Sequence, residues 1–199
     1  MARTITYHLS LLSPWAYLGH DRFLKIAARH GATVDVRPFD ILALFKETGG
    51  KPLPQRHPSV QAYRLTELRR WSGRLGIPLT LTPRHFPVPA GLASGMVLAA
   101  REDGADVGPL VGAVLRAVWA EDRDISDPAT VAAIASEQGL DGAALLARAH
   151  SPEIADLFAD VTARTIAAGV FGAPTYELNG ELFWGQDRLF MLDERLAEG

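Results

Sequence analysis

The first residues of the chain alternate between apolar and polar side chains. In the segment TITYHLSLL, residues 4–12, every second position from 5 to 11 is apolar, and this period of two predicts a β-strand. A helix is predicted next, because Ser13 suits its N-cap, Pro14 its first turn and Gly31 its end. The segment TVDV alternates again and predicts a second strand. A strand–helix–strand unit of this length favours a parallel pair.

The middle of the chain, from about residue 41 to residue 168, has helix signals and almost no strand signals. Apolar residues recur there at spacings of three and four, which is the period of a helix face. Two caps followed by proline, Asp127-Pro128 and Ser151-Pro152, mark helix starts. We therefore predict an all-helical block. Its apolar stripes contain Leu65, Leu68, Trp71 and Leu75; Val111, Val114, Leu115 and Val118; and Ile154, Leu157, Phe158 and Val161.

After Gly169 the pattern returns to that of a sheet. The segment APTYELNGELFWG predicts two short strands around Asn179-Gly180, a strong hairpin signal, and a last helix follows. The order is βαβ, then helices, then ββα. It predicts an α/β protein with a thioredoxin-like fold and a large α-helical insertion. The predicted thioredoxin-like domain is discontinuous, residues 1–40 and 169–199, and the inserted helical domain spans 41–168.

Composition places the chain among ordinary globular proteins. It has 199 residues, 48% of them hydrophobic and 22% charged, and a net charge of −3, which gives no reason to expect a nucleic-acid partner. No apolar run approaches the roughly 20 residues of a membrane span. The N-terminus enters the first strand without a signal-peptide pattern. We expect a cytoplasmic protein.

The turn between the first strand and the first helix is where a thioredoxin-like fold carries a C-x-x-C motif. Here the four residues are Ser13, Pro14, Trp15 and Ala16, and the chain contains no cysteine, so disulfide exchange is excluded. A hydroxyl remains at a helix N-terminus, a position that favours a bound thiolate. The simpler interpretation is a plain helix cap. His20 lies two turns down the helix, so Ser13 has no neighbouring base and is not interpreted as a triad nucleophile.

Two further segments contain groups that could bind a ligand. In GVFGAPTYE, the Ala173–Pro174 bond is either an edge feature or a cis bond facing the first helix; the second case would leave the Ala173 N–H and C=O free for a peptide-like ligand. In LFWGQDRL, Asp187 is most simply an N-cap on its spacing alone. Its functional interpretation is a carboxylate that receives a ligand ammonium group, with the amide of Gln186 beside it.

Together the motifs LSPWAYLG, GVFGAPT and FWGQDRL resemble those of the 2-hydroxychromene-2-carboxylate isomerases, the DsbA-type relatives of kappa-class glutathione transferases. The segment ELRRWSGRLGIP extends the resemblance through the middle of the chain. The resemblance implies a glutathione cofactor. It implies that Ser13 hydrogen-bonds the glutathione sulfur and that Ala173 and Pro174 hold the cysteinyl unit. Gln186 and Asp187 match the end of the site that takes the γ-glutamyl group.

The resemblance also implies a reaction, the cis–trans isomerisation of trans-o-hydroxybenzylidenepyruvate in aromatic catabolism. A glutathione thiolate would add to the conjugated system, allow rotation and leave again without being consumed. The expected partner is a small aromatic carboxylate, and a homodimer is typical of such relatives. Two alternatives stay open: a kappa-like glutathione transferase that acts on aromatic electrophiles, and a noncatalytic thioredoxin-like binding module.

Three positions depart from the family pattern, and they weaken the prediction of the substrate. Gly50 and Pro89 stand where relatives often have asparagine, and Val60 where they often have lysine. All three lie in the helical block, on the side expected to meet the glycine end of glutathione and the substrate. Hydroxychromene carboxylate is therefore only the family default.

Charge and aromatic residues in the helical block add a modest hint. Residues 51–85 contain seven Lys or Arg and one acid, Glu67. A solvated basic helix face explains this simply. In the functional interpretation, an arginine there attracts anionic ligands. The candidates are Arg64, Arg70 and Arg84. Aromatic residues that would wall a substrate pocket, unless they are ordinary core residues, are Trp15, Trp71 and Phe86.

Overall fold

The computed structural model describes residues 3–198. Its strands are β1 Thr4–Leu9, β2 Thr33–Pro38, β3 Thr175–Leu178 and β4 Glu181–Trp184. Its helices are α1 Pro14–Arg29, α2 Ile41–Thr48, α3 Pro58–Leu75, α4 Gly91–Glu102, α5 Gly108–Trp119, α6 Pro128–Glu137, α7 Gly142–Ala149, α8 Pro152–Ala167 and α9 Leu189–Ala197.

The strands form one mixed sheet in the order β2-β1-β3-β4. β1 and β2 are parallel, as the strand–helix–strand pattern predicts, and β3 pairs antiparallel with both β1 and β4. Tyr7 at the centre of the sheet lies opposite Val36 on one side and Tyr176 on the other. The hairpin turn has positive φ at Asn179 and Gly180, the conformation for which an Asn-Gly pair is favoured. The α/β class is confirmed.

Helix α1 packs across the central strands through aromatic contacts. The ring of Phe23 lies 4.7 Å from that of Tyr7 and 4.6 Å from that of Tyr176, and all three side chains are buried. Aromatic pairs at this separation add about 0.5–1.5 kcal/mol to the stability from burial. This packing fixes the direction of α1 and therefore the place where its N-terminus meets the sheet.

The helical block shares its core with the sheet. Helices α4 and α8 contact β2, helix α5 packs against α1, and buried apolar residues from strands and helices form one continuous cluster. Within the described residues, 41–168 contain no strand, as predicted. The division of the chain at residues 41 and 168 into two domains stays a prediction.

A buried histidine ties the central strand to its neighbours. His8 is fully buried on β1; its Nδ1 lies 2.9 Å from Thr165 Oγ1 on α8, and its Nε2 lies 3.0 Å from Glu177 Oε2 on β3. Burial lowers the pKa of His8, and the hydrogen bond with Glu177 only partly opposes this effect. His8 is therefore neutral in the folded protein at neutral pH.

We predict that the free energy of unfolding falls as the pH is lowered below 6.5. There the unfolded chain binds protons at histidine while the folded chain, with the lowered pKa of His8, resists protonation. Urea unfolding between pH 7.5 and 5.5 would measure the slope, which His8→Gln should reduce. Replacement of the exposed His150 by glutamine is the control and should leave the slope unchanged. An equal slope in His8→Gln and the wild type would contradict the prediction.

Candidate functional site

Ser13 joins the start of α1 to the segment that precedes β3. As N-cap, it accepts a hydrogen bond through its Oγ from the Ala16 N–H at 3.1 Å. The same hydroxyl donates to the Ala173 carbonyl oxygen at 3.1 Å, and the Ala173–Pro174 peptide bond is cis. The cap and the proximity that the sequence suggested are therefore both present. Ser13 is only 9% exposed.

The backbone of Ala173 is half available to a ligand. The sequence interpretation with a cis bond predicts a free carbonyl, and this is wrong, because the carbonyl accepts a hydrogen bond from the Ser13 hydroxyl. The Ala173 N–H donates to no acceptor within residues 3–198. The carbonyl of Pro174 accepts from the Gly185 N–H at 2.9 Å, which links this segment to the turn before α9. A peptide-like ligand would find one open donor here.

The turn before α9 is a 3₁₀ turn, Gln186–Arg188. Gln186 is buried, and its Oε1 accepts a hydrogen bond from Arg22 of α1 at 2.7 Å. Asp187 does not cap α9, since no side-chain cap bond forms at either helix start; its carboxylate pairs with Arg188 at 2.6 Å. The plain N-cap interpretation of Asp187 was therefore wrong, and the residue lines a cleft.

Two glycines permit this close assembly. Gly185 has a φ of 96°, and a Cβ there would lie 2.5 Å from Asp187 Oδ1. Gly19, on α1, faces the same turn, and a Cβ there would lie 2.6 Å from Gln186 Cβ. A methyl group at Gly19 would separate α1 from the turn, because no real Cβ contact is this short.

A cleft of about 270 Å³ opens where these segments meet α3. Its volume is close to the roughly 300 Å³ at which small-molecule sites begin. Ser13 and Pro174 do not line it; Ser13 is connected to it through the carbonyl of Ala173. The residues that line the cleft are Trp15, Glu67, Trp71, Ala173, Trp184, Gly185, Gln186, Asp187 and Arg188.

Part of this wall is predictable from the sequence. Trp15 and Trp71 line the cleft as predicted, whereas Phe86 does not; its ring packs 4.8 Å from that of Trp119. Glu67 and Trp184 were missed. Glu67 precedes Trp71 by four residues on a helix, and such pairs share a face, so the spacing could have identified it.

The three arginines singled out in the sequence have different surroundings. Arg70 pairs with Glu67 at 2.7 Å, and Arg84 pairs with Asp122 at 2.6 Å. The hydrogen bond from Arg70 lowers the pKa of Glu67, so this cleft carboxylate is ionised at neutral pH. Arg64 forms no ion pair within residues 3–198, and its guanidinium lies over the Phe86 ring.

The departures from the family pattern also have a structural context. A Cβ at Gly50 would lie 2.2 Å from the ring of Phe45, so an asparagine there would require that ring to move. Val60 and Pro89 are exposed. The Gly50 departure is therefore coupled to the position of Phe45.

The part of the chain that the structure covers contains neither a cluster of metal ligands nor a membrane-spanning helix. Between residues 3 and 198, His, Asp and Glu side chains nowhere gather in threes as a metal site requires. No helix of the same stretch is long and apolar enough to span a membrane.

Comparisons with known proteins agree with the motifs. Residues 4–197 match the family model of the DSBA-like thioredoxin domain. A 2-hydroxychromene-2-carboxylate isomerase of Sphingobium xenophagum is 28% identical over the whole of both chains. Human glutathione S-transferase kappa 1 is 24% identical over the whole of this chain and 92% of its own. A solved 2-hydroxychromene-2-carboxylate isomerase superposes with a TM-score of 0.85, at 26% identity, over 98% of this chain and 95% of the other. The thioredoxin-like fold and the inferred resemblance are confirmed.

We predict that Gly19→Ala destabilises the protein by about 1–3 kcal/mol, the usual cost of overpacking, since the new methyl group meets Gln186. The matched control is Gly73→Ala on α3, where a Cβ would meet nothing within 4 Å. That change should leave the stability equal or raise it by up to about 1 kcal/mol through helix propensity. Urea unfolding measures both. A Gly19→Ala protein as stable as the wild type would show that α1 and the turn can separate freely.

Proposed function

Because the chain belongs to the family of DSBA-like thioredoxin domains, we propose that it is a glutathione-dependent cis–trans isomerase of the 2-hydroxychromene-2-carboxylate isomerase type. The observation that carries the proposal is the Ser13 hydroxyl, held at the start of α1 beside Ala173 in a chain without cysteine. The isomerase named among the relatives supports the reaction, and the kappa transferase supports the cofactor. The expected cytoplasmic location and homodimer stay predictions.

The groups at the cleft suit a zwitterionic peptide such as glutathione. Glu67, Asp187 and Arg188 line the cleft, so charges of both signs are available there for the ammonium and carboxylate of an α-amino acid group. The N–H of Ala173 offers a main-chain donor for the cysteinyl unit. These residues would hold the cofactor and orient its thiol toward the start of α1.

Ser13 would stabilise the sulfur in its ionised form. A hydroxyl has one proton to donate, and Ser13 directs it to the Ala173 carbonyl. Rotation of the hydroxyl would redirect this proton to a thiolate, assisted by the N–H of Trp15, which has no acceptor within the described residues, and by the positive end of α1. Such surroundings lower the pKa of a thiol and raise its reactivity at neutral pH.

When bound, glutathione would supply a thiolate that adds reversibly to a conjugated double bond, leaving a single bond that can rotate before the thiolate is eliminated. The chain contributes binding and orientation. Trp15 and Trp71, on two sides of the cleft, would enclose an aromatic ring, and the carboxylate of Glu67 stays charged. None of these residues needs to be consumed or oxidised.

The same site would also serve a glutathione transferase that acts on aromatic electrophiles, and the human kappa-class relative favours this second candidate. The two functions differ in the fate of the thiol. An isomerase returns it, whereas a transferase leaves it in a stable conjugate.

We predict that glutathione in catalytic amount accelerates the interconversion of trans-o-hydroxybenzylidenepyruvate, followed by its ultraviolet absorbance. Free thiol measured at the end should equal the amount added, and loss of one thiol per substrate would instead show transfer. Glutathione at a hundred times its Kd should raise the free energy of unfolding by about 2.7 kcal/mol. Absence of both effects would leave only a noncatalytic binding module.

A second prediction concerns Ser13→Ala, for which the chain offers a matched control. Ser151 is also the N-cap of a helix that begins with proline, and its Oγ accepts from the Ile154 N–H at 3.3 Å. Each alanine variant should lose about 1 kcal/mol of stability with its cap, and Ser13→Ala should lose about 1 kcal/mol more with its hydrogen bond to the Ala173 carbonyl. Only Ser13→Ala should lower turnover, by about two orders of magnitude, as for loss of one donor to a developing anion. Equal turnover in the two variants would remove Ser13 from the mechanism.

A further inference from the structure

Arg64 on α3 is a half-buried cation with unusual surroundings. Its guanidinium carbon lies 5.7 Å from the ring of Phe86 and 5.7 Å from the ring of Trp119. Within residues 3–198 no carboxylate pairs with it and no acceptor receives its hydrogen bonds. The aromatic faces stabilise the charge but leave the N–H groups of the guanidinium without partners.

The neighbouring charge makes this arrangement less favourable for an isolated cation. Arg56 is close enough to repel Arg64, and burial together with this repulsion lowers the pKa of Arg64 to about 10. Arg56 itself lies over the Phe45 ring and donates to the Lys51 carbonyl oxygen, with no acidic partner in the described chain. An anion bound here would offset the desolvation and the repulsion.

A second unpaired donor belongs to the same cluster. Trp119 is fully buried at the end of α5, and its indole Nε1 has no hydrogen-bond partner among residues 3–198. Buried donors are almost always paired in folded proteins. The guanidinium over this indole and the indole N–H itself therefore both lack acceptors.

Arg64 does not itself line the cleft, but it lies on the same helix as two residues that do. Arg64, Glu67 and Trp71 are spaced three and seven residues apart, so they share one face of α3. Glu67 and Trp71 line the cleft. Arg64 follows on the same face, roughly 4.5 Å along the helix axis from Glu67.

We propose that Arg64 binds a carboxylate of the ligand held in the cleft, either that of an aromatic substrate or the glycyl carboxylate of glutathione. The proposal rests on the proposed function for the identity of these ligands. A guanidinium stacked on aromatic rings presents its edge, and two parallel N–H groups match the two oxygens of a planar carboxylate. Arg70 and Arg84 are already paired with Glu67 and Asp122, which leaves Arg64 as the open cation among the three.

The test is calorimetric titration of Arg64→Gln, with Arg69→Gln as the matched control, since Arg69 is exposed on the same helix. The probes are glutathione, its glycyl ethyl ester, trans-cinnamate and the neutral trans-cinnamyl alcohol. If Arg64 binds the glycyl carboxylate, Arg64→Gln should raise the Kd for glutathione at least tenfold and leave the Kd for the ester unchanged. If Arg64 binds a substrate carboxylate, Arg64→Gln should raise the Kd for cinnamate at least tenfold and leave the Kd for the alcohol unchanged. Arg69→Gln should alter neither.

Equal affinities of wild type and Arg64→Gln for both carboxylates overturn the proposal, and so does equal weakening of charged and neutral probes, which indicates structural damage. If Arg64→Gln does not fold, Arg64→Lys replaces it. Lysine keeps the charge but lacks the planar pair of donors. Arg64→Lys should therefore still raise the Kd for glutathione or for cinnamate at least threefold. If the wild type binds cinnamate but not glutathione, the proposed function is wrong, and the cinnamate titrations still test the role of Arg64. Binding of neither ligand rejects both.

Discussion

The hydroxyl of Ser13 is where the two ends of the chain meet. It caps α1 by accepting from the Ala16 N–H, and it holds the Ala173 carbonyl 160 residues away in sequence, with both hydrogen bonds at 3.1 Å. Together with the aromatic packing of α1 on the sheet, this junction positions the other groups of the site. The Pro174 carbonyl, next in the chain, fixes Gly185, and Gly185 begins the turn that places Asp187 at the cleft. A shift of α1 against β3 would therefore be transmitted to the whole site.

The features predicted from sequence are those set by local physics. A Ser-Pro cap, an Asn-Gly turn and an alternating strand depend on backbone preferences within a few residues. The predictions that failed depend on long-range partners. The Ala173 carbonyl was expected to be free, and the residue that occupies it is distant in sequence. Asp187 has the spacing of a cap, yet it lies inside the 3₁₀ turn and its carboxylate pairs with Arg188.

The arginines show why composition alone could not select a ligand-binding residue. Seven basic residues and one acid lie between positions 51 and 85, so the segment itself cannot neutralise its charge. Asp122, which pairs with Arg84, comes from a distant part of the chain. Whether an arginine is paired is decided by the acids that tertiary folding brings near it, and Arg64 obtains aromatic rings in their place.

The departures at positions 50 and 60 become intelligible together with these cations. Phe45 fills the space that a side chain at Gly50 would need, and the ring so placed supports Arg56 at 5.9 Å. Val60 stands where the family resemblance leads us to expect a lysine, and the cations Arg56 and Arg64 lie close enough to each other to repel. In place of an ammonium at position 60, the chain presents two guanidinium groups supported on aromatic rings. Since a guanidinium binds a planar anion through two donors and an ammonium acts as a point charge, such an exchange would change which ligands are bound before it changed the fold.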